Sequence, residues 1–245
     1  METAELMTTT HKVSIWRGGA DGAYAHYDVP ARESQTVLDV VTYVQRHLDP
    51  TLTYRFACRV GMCGSCAMTV NGVPRWTCRT HVDKVSGGGE LKIGPLANMP
   101  VIKDLACDMT EFFEKWQKAQ SRFVPTKTRK DPMEPIKPDT PARVAANAGI
   151  ECINCGVCYA ACDTVRWNND YLGPAALNRA WTLANDERDG GWAERLKAVS
   201  DHGGCHSCRS HQSCEAHCPN QLNPARSIAG LKQLSTSAYL KGELK

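Results

Sequence analysis

The sequence predicts an α+β protein in two parts: an amino-terminal domain of strands with one crossing helix, and a mostly helical carboxy-terminal domain. Three observations carry this expectation. Alternating, turn-punctuated apolar runs are confined to residues 11–77; a charged stretch with five prolines fills 125–143; cysteine runs separated by short helix-like segments follow. A chain of 245 residues has room for two ordinary domains, and 42% hydrophobic residues are enough to build packed cores.

In the first part, Val13 and Ile15 alternate with polar residues, and a second short run holds Tyr27 and Val29. The turn signals Gly18-Gly19 and Asp21-Gly22 between them predict a hairpin. Apolar residues at 37, 38, 40, 41, 44 and 48 then form one helical stripe, with Thr36 placed to cap it. Residues 67–70 and 73–77, joined by Asn71-Gly72, predict another hairpin. The segment PTKTRKDPMEPIKPDTPAR has no apolar period and reads as a linker, which sets domains at 1–124 and 145–245 around residues 125–144. In the last part, Asn223 and Pro224 are suited to be the cap and first residue of a helix that carries Ile228 and Leu231.

Thirteen cysteines are the unusual feature of the composition, and metal explains them better than disulfides. Met1–Lys12 lacks the basic start, apolar stretch and cleavage site of a secretory leader, so a reducing compartment is expected. No apolar run approaches the length of a membrane span; VLDVVTYV is interrupted by Asp39 and Thr42, so membrane contact is expected through a partner. A net charge of +3, with dispersed Lys and Arg, argues against nucleic acid as a partner.

Cys58, Cys63, Cys66 and Cys78 read C-x4-C-x2-C-x11-C, and the first three reproduce the plant-type spacing for a [2Fe-2S] centre. A structural zinc site usually pairs two C-x2-C knuckles, and this segment has one. Gly61 and Gly64 lie among the ligands, where a chain without side chains can turn its amides toward sulfur. Trp76, in the expected hairpin, reads as ordinary core.

Cys152, Cys155, Cys158 and Cys162 form C-x2-C-x2-C-x3-C, a run whose fourth cysteine ligates a different cluster from the first three. The complementary run is Cys208, Cys214 and Cys218-Pro219, which lacks a middle cysteine. Crossing the two assigns Cys152, Cys155, Cys158 and Cys218 to a [4Fe-4S] cubane. Cys162, Cys208 and Cys214 are left with three thiolates, the number a [3Fe-4S] centre needs. His211, midway between Cys208 and Cys214, and Cys205 remain alternatives for a fourth ligand there. Cys107, in an apolar context, reads as a buried hydrophobe.

Taken together, RFACRVGMCGSCAMTVNG, PLANMPVIKDLACDMTEFF, ECINCGVCYAAC and CEAHCPNQLNP resemble the iron-sulfur subunits of succinate dehydrogenase and fumarate reductase over nearly the whole chain. The resemblance implies a ferredoxin-like β-grasp domain followed by an all-α ferredoxin-like helical domain, with three centres in series. It implies a flavoprotein partner whose FAD exchanges a hydride with succinate or fumarate, integral membrane anchor subunits and a quinone. The expected setting is the cytoplasmic face of the inner (cell) membrane, in the respiratory chain and tricarboxylic acid cycle, with turnover possible in either direction. The different-class rival is a soluble multi-cluster ferredoxin carrier; a further rival is the related subunit of another flavin oxidase or of a heterodisulfide reductase.

Trp167, followed by Asn168, occupies the place where the family hydrogen-bonds a quinone oxygen, and indole N–H is a donor only. Arg166, Arg209 and His211 complete the expected quinone set. Asp163 and Arg166 stand where the family usually has Pro and often an aromatic residue, and Arg209 stands where many relatives have His, whereas His206 follows Cys205 in the family's manner. The quinone end is therefore expected to be more charged than usual.

Overall fold

The computed structural model describes residues 9–133 and 135–244. The first eight residues of the Met1–Lys12 stretch, read above for a leader, lie outside them. The chain divides into two compact units, 1–108 and 109–245.

In the first unit, β1 (Thr10–Arg17) and β2 (Ala23–Pro30) form the expected antiparallel hairpin, in register from Thr10–Pro30 to Arg17–Ala23. α1 (Val37–Tyr43) continues as a wider π turn through Leu48, which carries the apolar stripe to its end. Thr36 and Asp39 form a capping box: the Asp39 N–H donates to Thr36 Oγ1 at 3.2 Å and the Thr36 N–H to Asp39 Oδ2 at 3.1 Å. Thr36→Ala removes one side of that exchange and is expected to cost about 1 kcal/mol, measured as a lowered denaturation midpoint with unchanged slope.

β3 (Ala67–Val70) and β4 (Val73–Trp76) form the second expected hairpin. A short helix, α2 (Asp83–Ser86), leads to β5 (Leu91–Gly94), which runs parallel to β1 and antiparallel to β3. The sheet order is therefore β2-β1-β5-β3-β4, a mixed sheet held at its centre by a four-residue strand. Val37, Val40, Val41 and Val44 pack with Val13, Ile15, Val29, Met68, Val70, Leu91 and Ile93 in one core. A small hairpin, β6 (Val101–Lys103) with β7 (Ala106–Cys107), closes the unit, and Cys107 is buried there as expected.

The regular elements described in the second unit are helices: α3 (Thr110–Lys118), α4 (Pro141–Ile150), α5 (Val157–Ala160), α6 (Asp163–Trp167), α7 (Pro174–Ala184), α8 (Trp192–Ser200), α9 (Ser213–Ala216) and α10 (Pro224–Leu240). The units divide at 108/109 and not after 124, because α3 packs within the second: Phe112 meets the Tyr159 ring edge-on at 5.4 Å, and Lys115 Nζ donates to the Tyr159 hydroxyl at 3.0 Å. α4 likewise begins inside the stretch read as linker. Thr140 accepts from the Arg143 N–H, and Pro141 presets the backbone at the first helical position. Asn223 and Pro224 open α10 as expected, the Asn223 side chain accepting from the Arg226 N–H at 2.8 Å.

The start of the connecting segment is pinned by a buried ion pair. Asp189 takes both terminal nitrogens of Arg195, at 2.6 and 3.1 Å, and the two side chains are 0% and 1% exposed. Arg195 also donates to the Gln120 and Arg122 carbonyls, while Asp189 accepts from the Val124 and Gly191 amides. No described helix is long and apolar enough to cross a membrane.

Candidate metal centres

None of the 13 cysteines forms a disulfide, and eleven of them gather in three places. The first place is the loop between α1 and β3. Arg59, Gly61 and Gly64 adopt positive φ there, curling the chain so that the Val60 and Met62 amides donate to Cys58 Sγ at 3.5 and 3.3 Å. At Gly61 a Cβ would meet the Trp76 ring at 3.0 Å and the Arg79 side chain at 3.1 Å, so the turn requires glycine twice over, by conformation and by space. The β3-β4 hairpin delivers the other ligands: Thr77 donates through its N–H and hydroxyl to the Cys66 carbonyl, which sets Cys78 beside Cys66.

Leu38 of α1, with Tyr54 and Trp76, packs on Cys66 and Cys78. Trp76 is thus a half-buried wall of the cysteine loop, not the ordinary sheet core that its place in a hairpin suggests. The electrostatics are uneven across this group. The Cys58 amide and the Ser65 hydroxyl and amide pull the exposed Cys63 thiol down to about 6. Burial, with Cys66 alongside, pushes the Cys78 thiol up to about 12.

The second place is a cavity whose walls include Cys152, Cys155, Cys158 and Cys218, closed by Ile153, Pro219 and Leu222. Cys155 lies just before Gly156, which takes φ +77° to start α5, and the Val157 amide faces its sulfur. Burial raises the Cys152, Cys155 and Cys158 thiols, and the neighbouring thiols, Cys218 among them, raise each further. Asn220 ties the Cys218 loop to this run by donating to the Glu151 carbonyl at 2.6 Å.

The third place joins Cys162, Cys208 and Cys214. Cys162 stands at the cap of α6, where the Val165 and Thr164 amides and the Thr164 hydroxyl donate to its sulfur, and Cys208 acts on it electrostatically. Burial, then Cys162 and Cys208, pushes the Cys214 thiol up to about 12. The Ser210 N–H donates to Cys208 Sγ at 3.4 Å, and Lys232 Nζ reaches the Cys208 carbonyl at 2.8 Å. Cys158 also feels Cys214, so the second and third places are neighbours.

Thiols that disfavour one another's ionisation, yet are met by amide donors, suit ligation by iron, whose positive charge offsets the repulsion. Among the described residues no three His, Cys, Asp or Glu side chains converge on a single-ion site. A multi-iron cluster spreads its thiolates, because each sulfur ligates its own iron corner.

Of the residues expected at the quinone end, Trp167 is 74% exposed, and Arg166, Arg209 and His211 are exposed as well. The structure brings Trp167 and His211 together, their rings perpendicular at 6.4 Å. Cys205 is fully buried, and burial raises its thiol to about 11. The sequence reading missed two residues here: Thr164, whose hydroxyl helps hold the Cys162 sulfur, and the buried Tyr171, whose phenol is pushed up by burial and by the nearby Cys208 and Cys162 thiols. No local spacing rule marks either of them.

Residues 12–114 match a family model described as a 2Fe-2S iron-sulfur cluster binding domain, and residues 151–223 match a 4Fe-4S dicluster domain. A fumarate reductase iron-sulfur subunit of Escherichia coli is 36% identical over 222 residues, covering 90% of this chain and 89% of the relative. A succinate dehydrogenase iron-sulfur subunit of Paracoccus denitrificans is 37% identical, covering 81% of this chain and 75% of the relative. Among solved structures, a chain of the Mycobacterium smegmatis Sdh1 complex in the apo form superposes with a TM-score of 0.84 at 25% identity, covering 94% of this chain and 97% of that one.

Proposed function

The chain belongs to the family of iron-sulfur subunits of succinate dehydrogenase and fumarate reductase, and we propose that it carries electrons between a FAD-containing flavoprotein subunit and a quinone. It is an electron-transfer subunit of an oxidoreductase complex, with a [2Fe-2S] domain and a 4Fe-4S dicluster domain. What carries the finer reading is the gathering of eleven cysteines, distant in sequence, into groups of four, four and three. Cys58, Cys63, Cys66 and Cys78 hold a [2Fe-2S] centre; Cys152, Cys155, Cys158 and Cys218 hold a [4Fe-4S] centre; Cys162, Cys208 and Cys214 hold a [3Fe-4S] centre. Bound there, such clusters supply one-electron transfer and couple a two-electron flavin to a quinone.

The chain's own residues do the rest. Amides from Val60, Met62, Thr164 and Val165 hold sulfurs in place and favour their charged form. Val60 and Met62, 59% and 69% exposed on the first loop, offer apolar surface to the flavoprotein subunit. At the other end, the Trp167 indole donates to a quinone oxygen, and His211, set edge-on to it, passes a proton to the same site. Arg166 and Arg209 keep this surface positive toward the membrane anchor subunits, which hold the complex on the cytoplasmic face of the membrane.

Purification of the intact complex with Trp167→Phe tests this reading. The KM for quinone is expected to rise about tenfold, the worth of one hydrogen bond of about 1.4 kcal/mol. Succinate oxidation by an artificial acceptor that bypasses quinone stays at the wild-type rate. Recovery of the chain as a free monomer, without flavoprotein or anchor, would instead establish a soluble carrier.

A further inference from the structure

Asn178, on α7, stands with Ala175 in the wall of the cavity shared by Cys152, Cys155, Cys158 and Cys218. It is a polar residue at 1% exposure, and its side chain is bonded to two other helices. Asn178 Nδ2 donates to the Gly149 carbonyl of α4 at 3.2 Å, and its Oδ1 accepts from the Ser227 hydroxyl of α10 at 2.8 Å. A carbonyl can only accept, so the nitrogen and not the oxygen faces Gly149, which settles the orientation of the amide. At Gly149 a Cβ would meet Thr182 Oγ1 at 2.7 Å and Asn178 Nδ2 at 2.9 Å, so glycine is what lets α4 come this close to α7. Both bonds lead back to the cysteines. The Gly149 carbonyl also accepts from the Cys152 N–H at 3.3 Å, and α10 opens at Pro224, which lies in the cavity wall with Cys218. An Asn amide carries two N–H donors, and Gly149 takes one of them. Among the described residues no acceptor pairs with the second.

We infer that Asn178 donates its second amide N–H to a sulfur of the cluster bound in this cavity and thereby raises the reduction potential of the [4Fe-4S] centre. The inference rests on the assignment of Cys152, Cys155, Cys158 and Cys218 as its ligands. A buried donor left without an acceptor costs free energy, and a cluster sulfur in the cavity removes that cost. Reduction adds negative charge that the sulfurs share, so a donor aimed at one of them stabilises the reduced state more than the oxidised one. Burial strengthens the effect, because no water replaces the amide when it is removed. The Gly149 carbonyl keeps the Cys152 N–H, and the Ser227 hydroxyl keeps the Asn223 carbonyl at 3.4 Å, so neither is stranded when the amide is lost.

The test is a redox titration of the intact complex carrying Asn178→Leu, which keeps the side chain's size and removes both N–H donors, with each centre followed by electron paramagnetic resonance. The midpoint of the [4Fe-4S] centre is expected to shift downward while its cluster content and the other two midpoints stay at wild-type values. Ser227→Ala breaks the other bond of the same amide but leaves its N–H donors, and is expected to leave the midpoint in place. An unshifted [4Fe-4S] midpoint in Asn178→Leu overturns the inference. An equal shift in Ser227→Ala does so too, since packing of the network and not the N–H would then set the potential. Loss of the cluster from Asn178→Leu also overturns it, by making the amide a requirement for assembly. If the wild-type complex shows no [4Fe-4S] signal, the ligand assignment itself fails, and the inference fails with it.

Discussion

Cys162→Ala is expected to abolish the third centre and leave the [4Fe-4S] centre intact, although Cys162 sits in one run with Cys152, Cys155 and Cys158. The chain turns between α5 and α6, and the amides that open α6 draw the Cys162 sulfur to the side of Cys208 and Cys214. Cys218 crosses in the other direction, toward Cys152, Cys155 and Cys158. Removing one of three thiolates leaves two, too few for a stable cluster, and quinone reduction falls to background with it. Electron paramagnetic resonance of the oxidised and then the reduced complex reads both centres in one sample. Loss of the [4Fe-4S] signal with the third retained would mean that each run holds its own cluster.

Asp189→Ala is expected to destabilise the second unit by about 3–5 kcal/mol, because it strands the Arg195 guanidinium without a counter-charge in the interior. That is a large share of the total stability of a typical domain. The Val124 and Gly191 amides lose their acceptor in the same step, which adds to the loss. Denaturant unfolding followed by cluster absorbance measures the change. Combining Asp189→Asn with Arg195→Met, which removes the charge together with its partner and keeps an acceptor for one amide, is expected to cost less than Asp189→Ala alone. A larger loss in the double variant would show that hydrogen bonding, and not the stranded charge, dominates.

Both hairpins of the first unit were legible because strand alternation and an Asn-Gly turn act over a few residues, and the Thr36 cap because its partner lies three residues away. β5 was not: Leu91–Gly94 is four residues long, too short for a period, and it is a strand because β1 and β3 accept it on either side. α3 escaped for a related reason. It lies beside a linker in sequence, but its Phe112 and Lys115 find their partner 44 to 47 residues further on, at Tyr159.

Cysteine spacing alone carries the expectation of three centres and of a crossing between the two runs through Cys162 and Cys218, since cluster ligands come at spacings fixed by the size of the inorganic core and the reach of the chain. Only the assembled fold shows that Trp76 walls the first loop, that Trp167 and His211 meet, and that Tyr171 is buried. Each of these depends on segments far apart in sequence that the fold sets side by side, and no window of neighbouring residues contains that.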